Sequence, residues 1–292
     1  MDIDGDGRRD ILSGSYSRLT NDMAGLFQVL HGKPDGTFGK AEVLNGTDGE
    51  PLIIPVHGKP GEGEDWINNI CTRPFAADWD LDGHLDLVVG TFPGKLFLFR
   101  GQGGGKFLPK PDEMKAGEEP LIVAGHHGDP FVIDWDNDGD LDILSGSSKG
   151  GVQWAENRAG AGNPARLEPF RTLIEHGPSV ESGSLLREAD IKGPMTDTRI
   201  WVDDINGDGK LDILVGDRVP LDTPADGLGE AEFKKRCDAW TKERELASGK
   251  LQAAKDDQER TKAWLRIQEL DRKRITFVKE ESTGFIWLYL RK

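Results

Sequence analysis

The sequence is poor in cysteine. Only Cys71 and Cys237 occur in 292 residues, too few for a disulfide framework or a cysteine-rich zinc module, and a single bridge between them stays open. Long apolar runs are also missing: no segment approaches the roughly 20 residues that a membrane-spanning helix needs, and no signal peptide precedes the first motif. Positive charge is in deficit, with 37 Lys and Arg against 52 Asp and Glu for a net charge of -15, which argues against nucleic acid as a partner. There is no G-x-S-x-G, no H-E-x-x-H, no phosphate-binding glycine loop and no cysteine with a recognisable catalytic partner. What the chain does have is 38 glycines and 36% hydrophobic residues, the composition of a turn-rich β protein with a real core.

The acidic residues are not scattered. One nine-residue pattern, D-x-[DN]-x-D-G-x-x-D, occurs in register four times. Its positions 1, 3, 5, 7 and 9 are Asp2, Asp4, Asp6, Arg8 and Asp10 in loop 1, and Asp78, Asp80, Asp82, His84 and Asp86 in loop 2. In loop 3 they are Asp134, Asp136, Asp138, Asp140 and Asp142, and in loop 4 Asp204, Asn206, Asp208, Lys210 and Asp212. Carboxylates at positions 1, 3 and 5 of a tight loop can converge on one hard cation. The glycine at position 6 permits a sharp reversal that aims the carbonyl of position 7 (Arg8, His84, Asp140, Lys210) at the ion, and position 9 closes the shell. Magnesium prefers a smaller cage that keeps several waters, and soft metals prefer His or Cys side chains, so calcium is expected, about four ions in all. Positions 1, 3, 5 and 9 supply fifteen carboxylates, which makes the acidity of the chain largely metal-site chemistry.

An EF-hand begins with the same residues but needs a bidentate Glu at position 12 and flanking helices. Position 12 here is Ser13, Val89, Ser145 or Val215, within short apolar runs that read as strands. With those strands, the loops resemble the FG-GAP or VCBS-type repeats of calcium-binding β-propellers, including the head of integrin α subunits. The resemblance covers about residues 1–218 and resumes at 283–292.

The expected fold is all-β: a β-propeller of four-stranded blades, four of them visible and open to being part of a larger ring. Repeat 3 defines the unit. Phe131–Ile133 is its inner strand, Ile143–Gly146 its second, Val152–Asn157 its third, and an outer strand falls within 166–174. Residues 1–225 are read as blades, 226–280 as an inserted α-helical hairpin and 281–292 as a returning propeller strand. The hairpin carries apolar spacing through Phe233, Cys237, Trp240, Ala247, Leu251 and Ala254, then Trp264, Ile267 and Leu270. Its break is expected near Ser248-Gly249 or at Asp256-Asp257. Residues 230–280 hold 14 basic and 11 acidic side chains, a mildly positive patch on an acidic molecule; a solvated amphipathic hairpin resting on the propeller is the favoured reading and a partner-binding lever the alternative.

A His-Gly pair recurs after the expected outer strands, and His57, His127 and His176 are candidates for a ligand face opposite the loops. A turn in which His caps a strand and Gly takes an unusual backbone angle is the favoured explanation of the pair. Met1 abuts loop 1 where other copies have a preceding strand, so the chain is expected to be cut from a longer one whose missing part could have carried an export signal.

The resemblance implies a calcium-stabilised adhesion or interaction module in the extracellular space, at the cell surface or in the periplasm, binding protein or carbohydrate. The lack of catalytic signatures weighs against an enzyme. The alternative is a calcium-dependent polysaccharide lyase or hydrolase using His57, His127 or His176 with Trp66 and Glu64. No nucleic acid and no membrane span are expected, and the sequence leaves the oligomeric state unread.

Overall fold

The computed structural model of the chain describes residues 1–16, 25–55, 70–177 and 186–292. It is mostly antiparallel β-sheet with two helices, in two compact units. The first unit comprises Met1–His176, Thr196–Asp217 and Ile286–Lys292, and the second Gly177–Met195 and Arg218–Phe285.

The first unit is a series of meanders. Strands β1 (Ile11–Ser13), β2 (Gln28–Leu30) and β3 (Glu42–Val43) form a three-stranded sheet. Strands β4 (Arg73–Ala77), β5 (Asp86–Gly90), β6 (Leu96–Phe99) and β7 (Asp112–Glu113) form the next, followed by a small hairpin of β8 (Lys115–Ala116) and β9 (Glu119–Pro120). The third sheet is β10 (Asp129–Ile133), β11 (Asp142–Gly146), β12 (Val152–Ala155) and β13 (Arg171–Ile174), the strands expected from repeat 3 with the outer one now located. In the fourth, β14 (Thr196–Asp203) pairs with β15 (Asp212–Pro224). After helices α1 (Glu230–Ala253) and α2 (Asp257–Arg274) and strand β16 (Val278–Thr283), β17 (Ile286–Tyr289) returns to pair with Ile213–Gly216 of β15. The helical segment is therefore inserted between the second and third strands of its sheet, as the sequence implies.

Strands β5 and β11 are buried on both faces, and their alternate residues serve different neighbours. Leu87 and Val89 pack with Phe27, Val29 and Leu44 of the first sheet, while Val88 packs with Val132 and Ile143 of the third. Leu144 faces the fourth sheet, among Val202, Ile213 and Val215. The period of two along a strand thus becomes serial face-to-face packing of sheets, and each such side chain contributes about 1.5–3 kcal/mol by leaving water.

The junctions repeat as well. The last glycine of a second strand lies against the start of the next sheet: a Cβ on Gly14, Gly90 or Gly146 would collide with the carbonyl of Thr72, Gly128 or Thr198. Beside each glycine a backbone bond crosses over, from Thr72 N–H to Ser15 O at 3.1 Å, Gly128 N–H to Thr91 O at 3.1 Å and Thr198 N–H to Ser147 O at 2.9 Å. No side chain larger than hydrogen fits there, so these three glycines set the approach of neighbouring sheets.

In the second unit Phe233, Cys237, Trp240 and Ala247 of α1 cluster with Ile267 and Leu270 of α2, where Ala263 is also buried, and Trp240 Nε1 donates to Leu270 O at 2.8 Å. Ser248-Gly249 lies inside α1; the break falls at 254–256, where Asp256 caps α2 by accepting Glu259 N–H at 2.8 Å. Trp264 is 51% exposed, and Ala263 takes the inward place expected of it. The insertion also has strands that its composition hides: Val219–Pro224 of β15 pair with β16. Cys71 and Cys237 are both buried as thiols.

Candidate metal centre

Loops 2, 3 and 4 each join the end of one strand to the start of the next, loop 1 leads into β1, and the four fold alike. The position 1 carboxylate caps the turn: Asp2 accepts the N–H groups of Gly5 (2.9 Å), Asp6 (3.1 Å) and Gly7 (2.8 Å), and Asp204 those of Gly207 (2.8 Å), Asp208 (3.0 Å) and Gly209 (2.9 Å). Asp78 accepts Gly83 N–H at 3.0 Å, and Asp134 accepts those of Asp138 (3.1 Å) and Gly139 (3.0 Å). Position 5 then accepts the position 7 N–H, from Arg8, His84, Asp140 and Lys210 at 2.8–3.1 Å. The position 6 glycines have φ of +85°, +91°, +93° and +84°, a region a Cβ penalises.

Position 9 has a second task. Asp10, Asp86, Asp142 and Asp212 are buried, and each accepts two backbone N–H groups, one local and one distant. One comes from position 2 of its own loop: Ile3 at 2.9 Å, Trp79 at 3.2 Å, Trp135 at 3.0 Å or Ile205 at 3.2 Å. The other comes from just beyond the third strand: Gly32 at 2.8 Å, Gly101 at 2.6 Å, Asn157 at 2.7 Å or Arg291 at 3.0 Å. These carboxylates clasp loop to sheet. Burial pushes the Asp86 carboxyl up and that of Asp142 to about 6, against the pull of those N–H groups. At Asp10 burial is outweighed by the bonds from Gly32 and Ile3 and by His31, and the carboxyl is lowered.

Three of the loops gather carboxylate oxygens within 4.8 Å of one another: Asp2, Asp4 and Asp6; Asp78, Asp80 and Asp82; and Asp134, Asp136 and Asp142. Asp4 and Asp10 form a further group with His31. Asp78 Oδ1, Asp136 Oδ1 and Asp140 Oδ1 are buried without a hydrogen-bond partner. Burial raises the Asp136 and Asp140 carboxyls, helped by neighbouring carboxylates of the same loop. Buried carboxylate oxygens with no donor are costly, and a hard cation is a group that would satisfy them. The residues present fit calcium on that count. In loop 4 the amide of Asn206 takes part instead, accepting Asp208 N–H at 2.8 Å and donating to Asp208 Oδ2 at 3.2 Å.

Repeated aspartate loops between antiparallel strands define a class, the acidic-loop β repeat proteins. Residues 78–145 and 134–215 match the model of the FG-GAP-like repeat. Residues 78–215 are FG-GAP-type repeats. No curated protein and no solved structure matches the chain.

Of the candidate ligand-face histidines, His57 lies outside the described residues, as do Trp66 and Glu64. His127 and His176 are in none of the groups that could hold a metal ion among the described residues. His127 instead has its Nδ1 3.7 Å from Asp197 Oδ1 and its ring centroid 4.9 Å from that of Phe92.

Around it is a cluster that the sequence reading missed. Asp129 lies between two guanidiniums, 3.5 Å from Arg73 Nε and 3.5 Å from Arg199 Nε. Arg73 and Asp129 border a cleft of about 330 Å³. Two residues before each of the three charges, Cys71, His127 and Asp197 have φ of 54°, 64° and 51°. Arg73, Asp129 and Arg199 are spaced by 56 and 70 residues, like the loops themselves, so stacking the repeats five residues upstream of each loop would have revealed them.

Proposed function

We propose that the chain is a calcium-stabilised interaction module whose sheets are successive blades of a β-propeller, working outside the cytoplasm and binding protein or carbohydrate without catalysis. The carrying observation is the set of buried, partnerless carboxylate oxygens at Asp78, Asp136 and Asp140 in loops of a single repeated design. Support for blades comes from the three equivalent glycine junctions and from alternate residues of β5 and β11 serving opposite neighbours. Calcium is structural in this reading: it neutralises converging carboxylates and stiffens the strand junctions. Extracellular calcium reaches the millimolar range that modules of this kind use.

The test is retention of calcium-loaded and chelator-treated protein on immobilised polysaccharides and proteins, with new chain ends scored in parallel. Calcium-dependent retention without new chain ends supports the module. New chain ends would favour a second reading, a calcium-dependent lyase or hydrolase, for which Asp129 is the observation: its carboxyl is raised by burial although Arg199 and Arg73 oppose the shift. Calcium-independent behaviour throughout would contradict both.

A further inference from the structure

The four loops share a motif but not their surroundings. Guanidinium groups already occupy two of them. In loop 1, Arg8 pairs with the position 5 carboxylate of Asp6. In loop 2, Arg100 lies one residue beyond the end of β6, and its Nη1 sits 2.6 Å from Oδ2 of Asp80, the position 3 carboxylate; its Nε is 3.4 Å from Asp112. Strand register places His31, Glu156 and Leu290 at the corresponding point of the other sheets, one residue past Leu30, Ala155 and Tyr289.

Loop 3 is built the other way. Its position 7 residue is Asp140, which accepts Gly160 N–H at 2.6 Å through Oδ2 and leaves Oδ1 partnerless. Glu156 adds a further negative charge near Asp136, although it is itself paired with Arg171 at 2.9 Å and Arg158 at 3.1 Å. The guanidinium at this loop, Arg291, addresses the backbone carbonyl of Trp135 at 2.5 Å and stacks over its ring at 4.7 Å.

From these contacts, and resting on the calcium reading, we propose that the loops are graded ion sites: loop 3 fills first, and Arg100 acts as a built-in competitor that keeps loop 2 weak. The physics is exchange. An ion entering loop 2 must displace a guanidinium from Asp80 or share that carboxylate with it, and it feels the repulsion of a positive charge a few ångströms away. An ion entering loop 3 meets Asp134, Asp136 and Asp142 with no guanidinium to displace from them. Arg100 lies outside the nine-residue motif, so the motif alone would rank the two loops as equals.

The chain supplies its own reporters. Position 2 is Trp79 in loop 2 and Trp135 in loop 3, but Ile3 and Ile205 in loops 1 and 4, so tryptophan-sensitised terbium emission reads loops 2 and 3. In the full chain, with Trp154→Phe and Trp201→Phe carried throughout because Trp154 lies close to Asp142 and Trp201 three residues before Asp204, Trp135→Phe isolates loop 2, Trp79→Phe isolates loop 3, and added calcium competes the emission away. Loop 3 is expected to saturate at about tenfold lower terbium than loop 2, and Arg100→Leu to close most of that gap while leaving loop 3 unchanged. Arg100→Gln should act in the same direction and guards against a fold defect in the leucine variant. Equal affinities at the two loops, or a loop 2 indifferent to both substitutions, would overturn the grading. No calcium-competable emission from either loop would remove the calcium reading and the grading with it.

Discussion

Asp142 Oδ1 accepts the backbone N–H of Asn157 at 2.7 Å across 15 residues of chain, while its Oδ2 accepts that of Trp135 at 3.0 Å. The ninth residue of the motif therefore stabilises the sheet whether or not an ion is present. Asp142→Ala strands two buried N–H groups and is expected to cost about 2–4 kcal/mol in chelator. Asp134→Ala removes bonds that are local to an exposed turn, so in chelator it should cost about 1 kcal/mol while abolishing the calcium response of loop 3. Urea midpoints with and without calcium separate the two; equal losses in chelator would refute the clasp.

Glycine at the sheet junctions is demanded by space, and in the loops by backbone angle. Gly146→Ala would drive a methyl into the Thr198 carbonyl and should destabilise by about 3 kcal/mol or more. Gly207 has φ +75° but open space around it, so Gly207→Ala should cost about 1–2 kcal/mol. Thermal midpoints in the reverse order would speak against close sheet-to-sheet packing.

His127 should make stability pH-dependent. Burial, with the charges of Arg73 and Arg199, lowers its pKa below 6.5, and Asp197 opposes the shift. Below pH 6.5 the unfolded chain then binds more protons at this site than the folded one, so its contribution is whole above 6.5 and is lost as pH falls through the folded pKa. His127→Asn keeps a residue that tolerates φ of 64° and removes the titration. Its stability should fall less on acidification from pH 7 to 5 than that of the parent chain, as judged by urea unfolding at each pH; parallel curves would contradict this.

The local design was legible because it is periodic. The strands of repeat 3 follow from alternation around Ile143-Leu144 and Val152–Ala155, and the return of β17 to β15 follows from Phe285–Tyr289 repeating the third-strand pattern. The ribbon of Val219–Pro224 with β16 was hidden because Pro220, Pro224 and the charged run Lys279–Glu281 carry no strand signal. Trp264 was misplaced because Ala263, a weaker hydrophobic signal, sits on the inner side of α2. The Arg73, Asp129 and Arg199 cluster unites single residues from three repeats, and hydrophobic periodicity says nothing of charges that meet only in space.

The most direct measurement is calorimetric titration of calcium into the chelator-stripped chain, followed by a thermal melt. Saturable binding is expected, with loop 3 filling first and stoichiometry approaching about four ions, and a rise in melting temperature on loading. A folded chain that takes up no calcium at millimolar concentration, with an unchanged melt, would contradict it.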